Sequence, residues 1–237
     1  MLVLLFMIVI VICILAHNGR RETDPVDILD SIHARLCFDG GSLDDEYEEQ
    51  FMIVRFVRPF DRVLELGGNI GRSSCVIASV LSDSSNLVVF EPDPKTAQAL
   101  RHNRDMNGFQ FHIETRALSK RPLMQAGWTT QPAPINSVPP GWKRVATVAW
   151  PQVLDTHKRF DTLVCDCEGA LYQIVKDEPG FLKNFKTVII ENDFKEIQHK
   201  RHVDAELQEA GMRCVYRKAG GFGPCTDMFY ETWQRAD

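Results

Sequence analysis

The sequence has no surplus of basic residues, no Asn-x-Ser/Thr sequon, no Cys-x-x-Cys pair and no internal repeat. Each absence excludes something. With 27 basic residues against 32 acidic and a formal net charge of -5, no overall basic field exists to gather a polyanion, so nucleic acid is not an expected partner. The seven cysteines are odd in number, scattered and mostly set in apolar runs, as reduced, core-packing thiols are. That argues against a disulfide framework, and Cys165 and Cys167 stand too close for a redox motif or zinc knuckle. Without a repeat, 237 residues at 44% hydrophobic composition have room for one well-buried domain with appendages, and not for two large ones.

Residues 1–16 are unbroken apolar sequence (MLVLLFMIVIVICILA), followed shortly by Arg20 and Arg21. At about 1.5 Å per residue the run reaches roughly 24 Å, a little short of the hydrocarbon core of a bilayer. A cleaved signal peptide normally carries positive charge ahead of its apolar run and small residues at the cleavage site. Here nothing basic precedes the run, and Ile14 stands where a small residue is preferred. The expectation is an uncleaved, single-pass membrane anchor over residues 1–16. Arg20 and Arg21 on its carboxyl side place the catalytic part in the cytosol, in agreement with the missing sequon.

Residues 17–24 read as a linker and 25–60 as N-terminal helices packing on the core. Asp24-Pro25 opens a helical pattern of Val26, Ile28, Leu29, Ile32 and Leu36. Ser42 with Asp45 forms a capping box for a second helix, stopped at Arg58-Pro59. The acids from Asp44 to Glu49 are charges suited to its first turns. Nothing in these helices demands chemistry.

Residues 61–237 change rhythm. Short apolar runs at 63–66, 87–90, 111–118, 162–166 and 187–191 alternate with helical stretches at 72–81, 94–103, 150–156 and 171–176. That is the cadence of an α/β domain with a mostly parallel sheet. The tail, 213–217 and 227–231 around Gly220, Gly221 and Gly223, reads as a closing antiparallel hairpin. Residues 120–142, rich in proline and glycine, read as a long irregular loop, and loops of that length are more often functional than idle.

In open α/β sheets ligands bind beyond the carboxyl ends of the strands. After the first strand stands Glu65-Leu66-Gly67-Gly68-Asn69-Ile70-Gly71, a turn whose glycines let a ligand approach the backbone. In the dinucleotide register G-x-G-x-x-G the chain offers Leu66, Gly68 and Gly71, so the first glycine is missing. An NAD-dependent oxidoreductase is therefore an alternative and not the first reading. Glu91 follows about 20 residues later at the end of the second strand, where an acid can accept hydrogen bonds from ribose hydroxyls.

Four blocks then occur in order: Val63-Leu64-Glu65-Leu66-Gly67-Gly68-Asn69-Ile70-Gly71, Phe90-Glu91-Pro92-Asp93-Pro94, Ala117-Leu118-Ser119, and Asp166-Cys167-Glu168-Gly169-Ala170. The chain resembles the FkbM family of methyltransferases, whose pattern is approximately D-V-G-A-N-I-G, F-E-P-x-P, A-L-S and D-V-E-G-A-E, over about residue 55 to the carboxyl terminus. It departs at Glu65 for aspartate, Gly68 for alanine and Leu171 for the second glutamate of the last block. The resemblance implies a Rossmann-like class I methyltransferase sheet, mostly parallel with the last strand antiparallel, here preceded by the transmembrane helix. It implies S-adenosylmethionine as cofactor, with Glu65, Gly67, Gly68, Asn69 and Gly71 at its methionine part, Glu91 at its ribose, and Ala117 and Leu118 at its adenine. Asp166 and Glu168 would face the transferring methyl and the substrate, a small molecule, sugar or lipid-linked glycan methylated on a hydroxyl.

A hydroxyl acceptor must lose its proton, and Asp166, Glu168 and Glu191 are the candidate bases by strand-end position. His199 and His202 come next, more simply read as a solvated helix surface. Glu191, Asn192 and Asp193 with Asp166 could instead bind magnesium, but oxygen ligands alone are a permissive criterion and no metal is expected. A catalytically silent, membrane-tethered binding module is the remaining alternative, weighed against by the intact Glu65, Glu91, Asp166 and Glu168.

Overall fold

The structure is a computed structural model that describes residues 24–127, 129–134 and 137–236. The expected membrane anchor, residues 1–16, lies outside the described residues, as does nearly all of the linker. Among the described residues no helix is long and apolar enough to cross a membrane.

Asp24 caps helix α1 (Pro25–His33), its Oδ1 accepting from the Val26 amide at 3.0 Å, with proline in the first turn. The Ser42–Asp45 capping box does not form. Ser42 Oγ accepts from the Asp44 amide and starts a short 3-10 turn, Leu43–Glu46, and helix α2 begins only at Tyr47–Phe56. The cause is Arg72, whose guanidinium collects the Ser42 and Gly40 carbonyls and the carboxylates of Asp45 and Glu46. A multidentate guanidinium outcompetes the local cap.

Seven strands form the central sheet, in the order β11-β12-β10-β9-β1-β2-β3. They are β1 (Val63–Leu66), β2 (Leu87–Phe90), β3 (His112–Glu114), β9 (Thr162–Cys165), β10 (Thr187–Glu191), β11 (Met212–Lys218) and β12 (Tyr230–Arg235). All pair in parallel except β12, which runs antiparallel between β10 and β11. Strand alternation divides the core into two layers. Leu64, Leu66, Val88, Phe90, Leu163 and Ile190 point to the layer of α5 (Trp150–His157), α6 (Ala170–Asp177) and α7 (Ile197–Glu209). Val63, Val89, Val164 and Ile189 point to that of α1, α2, α3 (Arg72–Val80) and α4 (Pro94–Met106).

Three sequence expectations are corrected. The run 111–118 is two strands: β3 joins the main sheet, whereas β4 (Ala117–Leu118) pairs with β8 (Thr147–Val148) in a separate small sheet. The break falls where the Glu114 carboxylate turns back onto the Arg116 amide and guanidinium, bending the chain. The irregular stretch 120–142 contains β5 (Leu123–Ala126) and β6 (Thr129–Pro132), which form an antiparallel sheet with β7 (Lys143–Val145). Pro132 is tolerated because β6 is an edge strand. The second tail strand runs over Tyr230–Arg235 and not 227–231, because residues Thr226–Met228 form a 3-10 turn and pairing with β10 sets Glu191 opposite Tyr230.

Candidate active site

The turn after β1 is built by backbone hydrogen bonds to the next strand. The amides of Gly67 and Gly68 both donate to the Phe90 carbonyl at 3.0 Å. Gly67 has φ +94, and a Cβ there would lie 1.6 Å from the Asp166 carbonyl oxygen, so only glycine lets the β1 and β9 ends meet. Asn69 follows in a left-handed conformation, φ +44, unusual outside glycine and typical of asparagine when it occurs. Its amide donates to Glu91 Oε2 at 2.9 Å, and the Asp93 amide donates to Glu91 Oε1 at 2.9 Å. Glu91 is thus fixed at both oxygens, 8% exposed, with lone pairs left over on each.

Beside it opens a cleft of about 330 Å³, within the range of roughly 300–1,000 Å³ usual for small-molecule sites. Of the residues singled out in the sequence, Gly67, Asn69, Glu91, Ala117, Leu118, Asp166 and Glu168 line it. Glu65, Gly68, Gly71 and Glu191 do not. Glu65 is buried beneath the turn, its Oε2 accepting from Ser74 Oγ at 2.6 Å and its Oε1 without a partner. Gly68 and Gly71 face the core, where a Cβ would lie 2.2 Å from Val89 Cγ1 and 2.6 Å from Leu100 Cδ1 respectively. They let helix α4 and strand β2 close on the turn.

The cleft wall also includes Phe90, Pro92, Leu123, Gln125, Thr130, Cys167, Ala170 and Ile174, none named from the sequence as site residues. Leu123, Gln125 and Thr130 come from β5 and β6, so the stretch read as a loop is a small sheet covering the site. It is anchored to the end of α6 by ion pairs of Lys120 with Glu178 and Arg121 with Asp177. Cys167, read as a buried strand cysteine, is half-buried on the cleft wall, its Sγ 3.2 Å from Cys165 Sγ.

After β9 the chain turns sharply. Glu168 has φ +54, a conformation costly for glutamate, and the Gly169 amide donates to Asp193 Oδ1 at 2.8 Å, tying this loop to β10. Asp166 and Glu191 stand at the ends of β9 and β10 with a carboxylate of α2, Glu49, which the sequence reading passed over. One oxygen from each of the three lies within 4.8 Å of the others. Alternation explains the meeting: Asp166 and Glu191 continue the faces of Val164 and Ile189, which look toward α2.

Burial dominates the electrostatics. It pushes Glu65 up to about 8 and Glu91 to about 7, against the lowering hydrogen bonds each receives. Burial and then Asp193 raise Glu191 to about 7; burial and then Glu168 raise Asp193 to about 7. Burial and like charge hold Glu49 and Asp166 well above the usual carboxylate range. His199 and His202 do not form a solvated face: His199 stacks on Tyr172 with ring centroids 3.8 Å apart and His202 meets the same ring edge-on. Neither lines the cleft.

No family model matches the chain, and no curated protein matches it. Among solved structures it is similar to a ribosomal protein L11 methylase from Lactobacillus delbrueckii subsp. bulgaricus, with a TM-score of 0.50 and 12% identity over 83% of this chain and 82% of that one. It also matches the O-methyltransferase TomG from Streptomyces achromogenes, determined in complex with SAM, with a TM-score of 0.48 and 13% identity over 92% of each chain. An O-methyltransferase from Bacillus cereus in complex with SAH matches with a TM-score of 0.47 and 14% identity, over 93% of this chain and 95% of that one. The likeness is one of fold: the chain has the Rossmann-like, mostly parallel α/β fold of a methyltransferase.

Proposed function

We propose that the protein is an S-adenosylmethionine-dependent methyltransferase of the FkbM type, acting on a hydroxyl of a small molecule, sugar or lipid-linked glycan. The carrying observation is Glu91, pinned through both oxygens in the wall of a cleft that Asp166 and Glu168 also line. Sheet order supports the reading over a nicotinamide enzyme. A dinucleotide-binding sheet runs 3-2-1-4-5-6, whereas here an antiparallel strand, β12, is inserted between β10 and β11. Leu66, where the dinucleotide pattern needs its first glycine, is buried at the end of β1.

The residues present fit the cofactor. Glu91 would accept from the ribose hydroxyls, Ala117 and Leu118 would flank the adenine, and Gly67 and Asn69 would border the methionine part. Glu65, Gly68 and Gly71 would hold the turn from the side away from the cleft. The cofactor supplies an activated methyl group. The chain's task is then to align the acceptor oxygen and exclude water, the latter helped by the β5–β6 cover. Asp166, on the cleft wall with its carboxyl raised by burial and by neighbouring carboxylates and so more basic than an ordinary carboxylate, is the group suited to take the hydroxyl proton. Glu168 shares the wall, and Glu191 stands behind Asp166. The net charge of -5 and the acids at the cleft disfavour a polyanionic acceptor. The apolar run 1–16 supports a membrane tether with the domain on the cytosolic side.

Calorimetric titration of the protein with S-adenosylhomocysteine and, separately, with NAD tests the reading. Binding of S-adenosylhomocysteine in the micromolar range with no heat from NAD is expected. Binding of NAD alone would overturn it.

A further inference from the structure

We propose that Glu49, Asp166 and Glu191 form a divalent-cation site at the inner end of the cleft, taking an oxygen-preferring ion such as Mg²⁺, Mn²⁺ or Ca²⁺. The ion site stands on its own geometry, and only its part in the reaction rests on the methyl-transfer reading.

The geometry is the first support. Oxygens no more than 4.8 Å apart can all reach one ion, because bonds of roughly 2.1–2.4 Å place opposite ligands roughly 4.2–4.8 Å from each other. The three side chains come from helix α2, the end of β9 and the end of β10, so rigid elements and not a surface loop set their spacing. All three ligands are carboxylates, the chemistry of hard cations and not of zinc or copper.

Two acids at neighbouring strand ends would by themselves be an ordinary acidic edge. The independent observation is Glu49. It is 4% exposed, makes no hydrogen bond or ion pair with any described residue, and has a carboxylate oxygen within 4.8 Å of an oxygen of both Asp166 and Glu191. A buried carboxylate without a partner costs several kcal/mol unless it holds a proton or meets a cation. Basic side chains that could have served are committed elsewhere among the described residues. Arg72 holds Asp45 and Glu46, Lys218 pairs with Glu48, and the buried Lys200 pairs with Glu231 and Asp204. No lysine, arginine or histidine of the described residues forms an ion pair with Glu49, Asp166 or Glu191. A fourth acid, the buried Glu65, adds its own charge to the same side of the sheet.

Asp166 belongs both to this triad and to the cleft wall. An ion there would lie beside the acceptor oxygen, lower the pKa of its hydroxyl and leave the proton to a neighbouring carboxylate such as Glu168 or to water. No electron is transferred, and the ion is regained unchanged.

Titration of the full chain with Mn²⁺, followed by loss of the free-ion electron paramagnetic resonance signal and without any cofactor present, tests the site. One Mn²⁺ per chain is expected, displaced by Mg²⁺ or Ca²⁺. Glu49→Gln, which keeps the side chain's shape, should weaken Mn²⁺ at least tenfold, and Glu191→Gln should do the same. Glu48→Gln, at the neighbouring α2 acid that pairs with Lys218 instead, should bind like the wild type. Circular dichroism confirms that each variant is folded. Wild-type protein that takes up no Mn²⁺ into the millimolar range overturns the proposal, as does a folded Glu49→Gln that binds normally or a Glu48→Gln that loses as much. S-adenosylhomocysteine binding is read separately, so failure of the ion site and failure of the methyl-transfer reading are distinguishable.

Discussion

Replacing Glu91 with alanine should weaken S-adenosylhomocysteine binding by at least about 100-fold. Hydrogen bonds to a charged acceptor contribute about 1.5–3 kcal/mol each, and two ribose hydroxyls would be lost together; each 1.4 kcal/mol is about tenfold. The loss extends to the turn itself, because the Asn69 amide donates to Glu91 Oε2 and would be left without its acceptor. Glutamine is not a conservative replacement here. Both carboxylate oxygens already accept backbone amides, from Asn69 and from Asp93, so a glutamine must turn its own NH₂ group toward one of those donors. A loss of roughly tenfold or more is expected for Glu91→Gln, read by the same calorimetric titration. A change under about threefold for Glu91→Ala would remove the ribose assignment.

The second large effect is on stability against pH. Glu65 titrates at about 8 in the folded chain and near the ordinary 4.5 when unfolded, because burial outweighs the hydrogen bond from Ser74. A group raised on folding contributes its full stability below the unfolded value and loses it as pH rises through the folded one. Ligand-free protein should therefore lose stability between about pH 4.5 and pH 8, with a share from Glu65 on the order of 5 kcal/mol. That corresponds to a melting temperature lower by roughly 10 °C at pH 8 than at pH 5. Glu91 adds a smaller term of the same sign. Glu65→Gln stays neutral throughout, so its stability should fall less steeply, by about 1.4 kcal/mol per pH unit in that window. Denaturant unfolding at several pH values measures this, and an unchanged slope in the variant would show that Glu65 is ionised in the native state.

The parts of the site legible in the sequence are those marked by punctuation and period. Gly67, Gly68 and Gly71 close a strand and open a helix, Pro92 and Pro94 close the next strand, and Glu91 falls at the spacing an acid needs. Those residues fix the chain locally, and local rules find them. The β5–β6 cover was not legible because Thr129–Pro132 is exposed at all four positions, leaving no apolar alternation to read. β6 pairs with its immediate neighbour β5, and the sheet is completed by β7, Lys143–Val145, which lies beyond a short window.

Glu49 shows a different failure. It sits in a run of acids from Asp44 to Glu49, and charge at the start of a helix has an adequate local explanation. Helical spacing carried the missing signal. Glu49 lies three residues before Met52 and four before Ile53, both wholly buried, and so shares the inward face, while Glu48 turns outward to Lys218. An acid on the apolar face of a helix is the exception worth following. The parallel pairing of β9 with β10 sets the strand-end acids Asp166 and Glu191 side by side, but what they meet depends on α2 crossing the carboxyl end of the sheet.

A crystal structure of the protein grown with S-adenosylhomocysteine tests the central claim most directly. The account predicts the ribose hydroxyls within hydrogen-bond distance of Glu91, the adenine between Leu118 and the β5–β6 cover, and the sulfur pointing toward Asp166. A nucleoside bound elsewhere, or bound in the cleft with no contact to Glu91, would contradict it.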